Sequence, residues 1–142
     1  MSEAILHEEY DVAQDDYVNA GKTSSKIKDL LKQVGIDPRV LRNIAVACYE
    51  AEINLVIHTH GGKVILDVMD DGTVNLVFKD VGPGIEDLEK AMTPGFSTAD
   101  EEARSLGFGA GMGLPNIKRV SDTFDIETSP EGTTLSLSFK GE

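Results

Sequence analysis

Apolar and polar residues alternate in several stretches of the chain, and a period of two predicts β-strands. Ala4–Val12 alternates imperfectly, which favours a strand at the edge of a sheet. Lys63–Met69 and Thr73–Lys79 alternate regularly on either side of Asp71-Gly72, a strong hairpin signal. A second hairpin is indicated near the C-terminus. Phe124 and Ile126 alternate in its first strand, and a turn is predicted at Pro130-Glu-Gly132. Leu135, Leu137 and Phe139 mark the inner face of the last strand.

A helical period appears after the first strand. The apolar positions of this helix are Ile27, Leu30, Leu31 and Val34. We expect Thr23, Ser24 or Ser25 to cap its start. Gly35 should end the helix, with Ile36 packing back on its last turn.

A longer helix is predicted to follow. Asp37 is a good N-cap, Pro38 suits the first helical position, and the pattern continues to about Thr59. Its buried stripe consists of Ile44, Cys48, Ala51 and Leu55. Glu50 and Asn54 lie four residues apart, so their side chains are neighbours on another line of the helix. Glu52 points elsewhere.

The segment Leu106–Arg119 combines a glycine-rich loop with a helix start. Four alternating glycines precede a helix that ends near Ser121, with Leu114, Ile117 and Val120 on one face. Free N–H groups and the helix dipole at such a junction favour phosphate. Upstream, Glu86–Met92 is a predicted short acidic helix. Thr93–Gly113 is a long loop, and loops of this length are usually functional lids or disordered.

The order of elements predicts an α+β fold. Strands joined by tight turns form a mixed, mostly antiparallel sheet with helices on one face, which is a two-layer α/β sandwich. We find no repeat and no linker, so residues 1–142 are expected to form one domain.

The charge and the cysteine content exclude some classes of partner and predict where the protein is located. The formal net charge of −12 argues against nucleic acid as the main partner. No apolar run is long enough to cross a membrane and no signal peptide is indicated. A single cysteine excludes a disulfide framework, so a cytoplasmic location is expected.

Three segments resemble the motifs of one superfamily. Glu50–His58 looks like the N box, Asp80–Ile85 like the first glycine box and Gly107–Leu114 like the second glycine box of the GHKL ATPases. This resemblance implies a Bergerat-type ATP-binding fold with a glycine-rich ATP lid. Phe96-Ser-Thr98 and Ser129–Thr134 resemble the branch of anti-sigma factors that are also serine-protein kinases.

The resemblance implies a binding site for ATP or ADP with Mg²⁺. Asn54 would ligate Mg²⁺, Glu50 would be the general base, and Asp80 would accept from the adenine amine. Gly84 would leave room for the base, the lid glycines would wrap the phosphates, and Thr133 or Thr134 would help close the pocket. The remaining residues in the implied nucleotide site are Gly82, Ile85, Gly107, Gly109, Gly111, Met112, Gly113 and Leu114.

The implied function is phosphorylation of a serine or threonine on a partner antagonist protein. A sigma factor and a serine-bearing antagonist are the implied protein partners, and the resemblance leaves a homodimer open. A nucleotide-gated binding module without kinase activity uses nearly the same residues and remains an alternative.

Two other enzyme classes fit less well. A small-molecule methyltransferase shares the strand followed by Asp-x-Gly-x-Gly, but the alternation of strands and helices that its fold needs is missing. A full sensor histidine kinase would need a phosphoacceptor histidine in a preceding helix pair, and His7 lies in a predicted strand.

Several other reactive or charged residues give little indication of function. Cys48 is expected in the core. His58 and His60 are two apart, which is poor geometry for a shared metal. Arg104 and Lys118 flank the glycine loop, where they either contact phosphate or are solvated charges.

Overall fold

The protein is represented by a computed structural model that describes residues 3–13, 21–58, 61–80 and 113–140. The described chain forms a layer of strands and a layer of helices. In chain order the elements are β1 (Ala4–Val12), α1 (Lys22–Gln33), α2 (Pro38–His58), β2 (Gly62–Met69), β3 (Val74–Asp80), α3 (Gly113–Val120), β4 (Thr123–Ser129) and β5 (Gly132–Phe139). The predicted helix Glu86–Met92 and the predicted loop Thr93–Gly113, except for Gly113, lie outside these residues.

The five strands form one sheet in the order β1-β2-β3-β5-β4. Each described pair of neighbouring strands is antiparallel, and β1 lies at an edge as predicted. The hairpin between β2 and β3 is closed by Asp71, whose Oδ1 accepts the Thr73 N–H at 2.9 Å. The predicted α+β class is confirmed.

The core lies between the sheet and the helices. Alternate residues of the three central strands are buried there, because successive side chains of a strand point to opposite faces. The strand residues of the core are Val12, Val64, Leu66, Val68, Val74, Leu76, Phe78, Leu135, Leu137 and Phe139. The helices contribute Ile27, Leu31, Leu41, Ile44, Ala47, Cys48, Ala51, Leu55, Leu114 and Ile117.

The start of α1 differs from the prediction. Its N-cap is Gly21, which has a left-handed φ of 92°, and no side chain of the segment caps the helix locally. Thr23 and Ser24 lie inside the first turn and are buried. Their N–H groups donate to a carboxylate from α2, Glu52. The predicted cap by Thr23, Ser24 or Ser25 is therefore wrong, because a distant residue satisfies these donors.

The junction between α1 and α2 follows the sequence signals. The Ile36 N–H donates to the Leu31 carbonyl at 3.1 Å and the Gly35 N–H donates to the Lys32 carbonyl at 3.2 Å. These two bonds form a Schellman motif, with Gly35 at the expected left-handed position. Asp37 then caps α2, since its Oδ1 accepts the Arg39 N–H at 2.8 Å.

Helix α2 is central to the helix layer. It packs against α1 and against α3 and contacts the sheet. Its predicted stripe of Ile44, Cys48, Ala51 and Leu55 is buried. Within the residues described, no helix is long and apolar enough to span a membrane.

Candidate functional site

A carboxylate lies at the end of the middle strand of the sheet. Asp80 is the last residue of β3 and lies on the same face of the strand as the buried Phe78. Its Oδ1 accepts the backbone N–H of Thr133, on β5, at 2.9 Å. This charge-assisted hydrogen bond across two neighbouring strands fixes the orientation of the carboxylate.

A glycine that the motifs did not indicate lies beside this carboxylate. Gly62 begins β2 and is the register partner of Asp80. A Cβ at Gly62 would collide with the carbonyl oxygen of Lys79 and lie 3.0 Å from the Cα of Asp80. The close approach of β2 to the end of β3 therefore requires glycine at position 62. From the sequence alone, the only indication of this requirement is that a glycine stands at the start of a strand.

Glu50 occupies a partly desolvated position on α2. Its side chain is half-buried, and this burial raises the pKa of the carboxyl group above its usual value. A raised pKa makes the ionised form a stronger base. The helix carries both this carboxyl group and Asn54, one turn further along.

The chain path brings α2 and Asp80 to one end of the sheet. Helix α2 ends at His58 and the chain enters β2 at Gly62, opposite Asp80. Asn54 lies one turn before the end of α2, so its backbone belongs to the same end of the molecule. The side chain of Asn54 lies outside the described part of the structure.

Glu52, between these two residues, has a different environment. It is 2% exposed, and its carboxylate accepts hydrogen bonds from the N–H groups of Gly21, Thr23 and Ser24 at 3.0, 3.3 and 2.8 Å. It also accepts the Ser24 hydroxyl at 2.7 Å. The carboxylate thus caps α1 from a neighbouring helix, as anions do at helix N-termini.

The prediction that Glu52 points away from Glu50 is confirmed, but its role as the cap of α1 was not predicted. A signal was present, because Glu52 follows Cys48 by four residues and Ala51 by one. It therefore falls beside the buried stripe of an amphipathic helix. A carboxylate in that position must be fully hydrogen-bonded, and the donors at the start of α1 satisfy it.

The predicted residues on β5 lie on opposite faces. Thr133 is buried on the helix-facing side, and its hydroxyl forms a 2.8 Å hydrogen bond with that of Thr128. Thr134 pairs with Lys79 and lies on the other face of the sheet. Of the second glycine box, Gly113 begins α3, and the Leu114 side chain is buried in the core.

The other predicted nucleotide-binding residues lie outside the described residues. They are Gly82, Gly84, Ile85, Gly107, Gly109, Gly111 and Met112. His60 and Arg104 also lie outside them, and only the backbone of His58 is described. Lys118 is exposed on α3.

Residues 3–13, 21–58, 61–80 and 113–140 contain no group of three or more histidine, cysteine, aspartate or glutamate side chains suited to a metal.

The fold and these motifs agree with a known family. A sequence profile described as "Histidine kinase-like ATPase domain" matches residues 13–139, and the chain belongs to this family. It is 37% identical over 110 residues to the Anti-sigma F factor of Bacillus subtilis (strain 168), covering 72% of each chain. It is 31% identical over 112 residues to Serine/threonine-protein kinase RsbT of the same strain, covering 76% of this chain and 78% of that protein.

Solved structures support the fold. The RsbU and RsbW domains of Rv1364c from Mycobacterium tuberculosis match with a TM-score of 0.62 at 19% identity, covering 94% of this chain and 32% of that one. The chain thus spans about a third of that protein. A chain of the SiaB-SiaC complex from Pseudomonas aeruginosa matches with a TM-score of 0.53 at 14% identity. The match covers 96% of this chain and 89% of that one.

Proposed function

We propose that the protein is an ATP-dependent regulatory kinase that transfers phosphate to a serine or threonine of a partner protein. The observation that carries this proposal is the Asp80 carboxylate, held by the Thr133 N–H at the end of β3. Membership of the ATPase family and similarity to proteins named as anti-sigma factor and serine/threonine-protein kinase support it.

Asp80 would recognise adenine. The exocyclic amine of adenine is a donor, and a carboxylate offers only acceptors, so the pair is complementary. Thr133 already orients one carboxylate oxygen, which lowers the cost of ordering the group when nucleotide binds. Thr133 lies on the same side of the sheet as Asp80, which favours it over Thr134 as a neighbour of the base. Leu114 is buried, so its backbone would make any contact with nucleotide.

Glu50 would act as the general base. The hydroxyl oxygen of the partner forms a bond to the γ-phosphorus, the bond from that phosphorus to the ADP oxygen breaks, and Glu50 takes the hydroxyl proton. Desolvation raises the pKa of Glu50, which suits it to accept that proton.

Binding of the phosphates would involve the helix N-terminus and a metal. Asn54 would hold Mg²⁺, which neutralises phosphate charge when it is bound. Gly113 begins α3, and its neighbours Gly107, Gly109 and Gly111 with Met112 would supply backbone N–H donors. Gly82, Gly84 and Ile85 would border the base.

The partner would be a sigma factor, a serine-bearing antagonist, or both. The names of the relatives support this class, since one is an anti-sigma factor and another a protein kinase. A module that binds its partner only when nucleotide is bound, without transferring phosphate, would use the same adenine and phosphate contacts.

Glu50→Gln separates these two functions. The amide keeps the shape and cannot take the proton, so transfer to a purified partner should fall by about 10²- to 10⁴-fold while ATP affinity stays within about twofold. The readout is phosphoserine or phosphothreonine on the partner by mass spectrometry, with Glu127→Gln, an exposed glutamate on β4, as the control. ATP-dependent partner binding with no phosphate transfer by the wild type would instead favour the gated binding module.

A further inference from the structure

A groove lies between α1 and α2. It has a volume of about 370 Å³ and is lined by Gly21, Lys22, Ser24, Ser25, Lys28, Ala45 and Tyr49. We call these residues the α1–α2 groove. Among the described residues that line it are two lysines and no acidic side chain, although the whole chain has a net charge of −12.

The floor of the groove is preformed. The Gly21 N–H is held by Glu52 at 3.0 Å, and the ring of Tyr49 lies against Gly21. A Cβ at Gly21 would be 3.1 Å from the Tyr49 Cε1, so glycine allows this close packing. Because these groups are already ordered, a ligand would bind without first organising the groove.

A largely apolar face of α2, which includes one arginine, borders the groove. Arg42, Ala45, Val46 and Tyr49 follow the i, i+3, i+4, i+7 spacing of one helix face. This face points away from the core, because Val46 and Tyr49 are 39% and 42% exposed. An exposed aromatic residue next to apolar neighbours and an arginine has the composition of a protein interaction surface.

The charge of the residues around the groove indicates which kind of partner it would bind. Residues 21–49 contain six lysines and arginines and two aspartates, a net charge of +4, so the rest of the chain has a net charge of −16. The basic residues of this segment are Lys22, Lys26, Lys28, Lys32, Arg39 and Arg42, and all are exposed. Of these basic residues, Lys22 and Lys28 line the groove itself, and a local positive charge on an acidic protein attracts acidic partners to that site.

We propose that the α1–α2 groove docks an acidic segment of a partner protein, with an apolar side chain of that segment seated on Tyr49. Lys22 and Lys28 pair with the carboxylates, and Ala45 and Val46 extend the apolar contact. The strongly acidic remainder of the chain disfavours nucleic acid, whose phosphates would be repelled outside the groove. This proposal does not rest on nucleotide binding or on kinase activity.

Fluorescence anisotropy with a labelled peptide tests it. The probe is a synthetic twelve-residue peptide of glutamates and aspartates around a central Leu-Phe pair, measured without nucleotide. Lys28→Glu should weaken binding about tenfold, whereas Lys140→Glu, the same charge change at an exposed lysine after β5, should leave it within about twofold. Replacing the central Leu-Phe pair with Ser-Ser should also weaken binding about tenfold, as should Tyr49→Ala.

Four results would overturn the proposal. They are no measurable binding to the wild type, equal loss of affinity in Lys28→Glu and Lys140→Glu, equal binding of the Ser-Ser peptide, and equal binding of a single-stranded oligonucleotide. The last would indicate general polyanion attraction. Because Lys28 is exposed, its variant should keep the wild-type melting temperature, which circular dichroism checks. Failure of ATP binding or phosphate transfer would leave these results unaffected.

Discussion

Two glutamates on α2, two residues apart, have different environments. Glu50 is half-buried and its pKa is raised by desolvation, which favours a role in proton transfer. Glu52 is buried and accepts four hydrogen bonds from the start of α1, which favours a role in joining two helices. Residue type alone does not separate these roles, because the surroundings of each carboxylate decide what it does.

Glu52→Gln should destabilise the protein. The amide group can accept at one atom only, and its N–H₂ would face the N–H donors of Gly21, Thr23 and Ser24. Hydrogen bonds to a charged group are stronger than neutral ones, so we expect a loss of about 3 kcal/mol in the free energy of unfolding. Urea denaturation measures it. The control is Glu127→Gln, at an exposed position on β4, which should change the free energy of unfolding by less than about 0.5 kcal/mol. An equal loss of stability in the two variants would contradict the role of Glu52 as the cap of α1.

Cys48 should make stability depend on pH above neutrality. Burial raises the pKa of its thiol to about 12, and the nearby charge of Glu52 adds to this effect. The unfolded state loses this proton first, so the stabilising contribution is complete below pH 9 and is lost progressively up to about pH 12. The free energy of unfolding should fall by about 1.4 kcal/mol per pH unit in this range.

Cys48→Ala provides the control for this pH dependence. The variant lacks the thiol, so its stability should fall less steeply with pH than that of the wild type. A thiol reagent at pH 8 should leave Cys48 of the folded wild type unmodified, since only the thiolate reacts. If the free energy of unfolding fell equally with pH in the wild type and in Cys48→Ala, the raised pKa of Cys48 would be contradicted.

The burial and direction of some side chains could be predicted from the sequence, whereas one helix cap could not, and the reason is physical. The burial of Cys48 and the separate direction of Glu52 follow from helical spacing and are confirmed. The cap of α1 was missed, because its partner lies 28 residues or more along the chain. Local sequence signals identify caps within a few residues and cannot show a side chain that arrives from another helix.

At the scale of elements, the approach of β2 to β3 determines where Asp80 lies. Gly62→Ala should lower both the stability and the nucleotide affinity, because the added Cβ would meet the backbone of Lys79 and Asp80. We expect at least about 2 kcal/mol of destabilisation, measured by urea denaturation, and a nucleotide Kd raised several-fold, measured by calorimetry.

Gly35→Ala is the matched control for this prediction. Its Cβ would meet nothing within 4 Å, but the φ of 83° is unfavourable for alanine, so a loss of about 1 kcal/mol is expected. This variant should keep its nucleotide affinity. If Gly62→Ala also kept its affinity, the link between this strand pair and the site would be wrong.

The bounds of the elements were largely predictable. Strands β2 and β3 and helix α2 agree with the sequence to within about one residue, because their periodicity and caps are unambiguous. The strand order does not follow from local patterns in the sequence, since it depends on contacts between distant segments. The predicted lid and most of the glycine boxes lie outside the described residues, so their roles stay predictions.

At the scale of the whole molecule, the residues of the predicted site are distributed over three elements that are distant in the sequence. Glu50 and Asn54 belong to α2, Asp80 ends β3, and Thr133 belongs to β5. The family and the α+β class were predictable from the motifs and their order, and both are confirmed. The basic groove was not predicted, because the charge of a surface depends on which helix faces are left exposed.

The most direct test of the account is a calorimetric titration of Mg-ATP into the wild-type protein and Asp80→Asn. The substituted side chain can still accept the Thr133 N–H, so the fold should be kept, but its amide would face the adenine amine with a donor. We predict binding to the wild type and an affinity about tenfold lower or more in the variant, with similar melting temperatures. Unchanged affinity in the variant, or a wild type that gives no binding heat at several temperatures, would contradict the account.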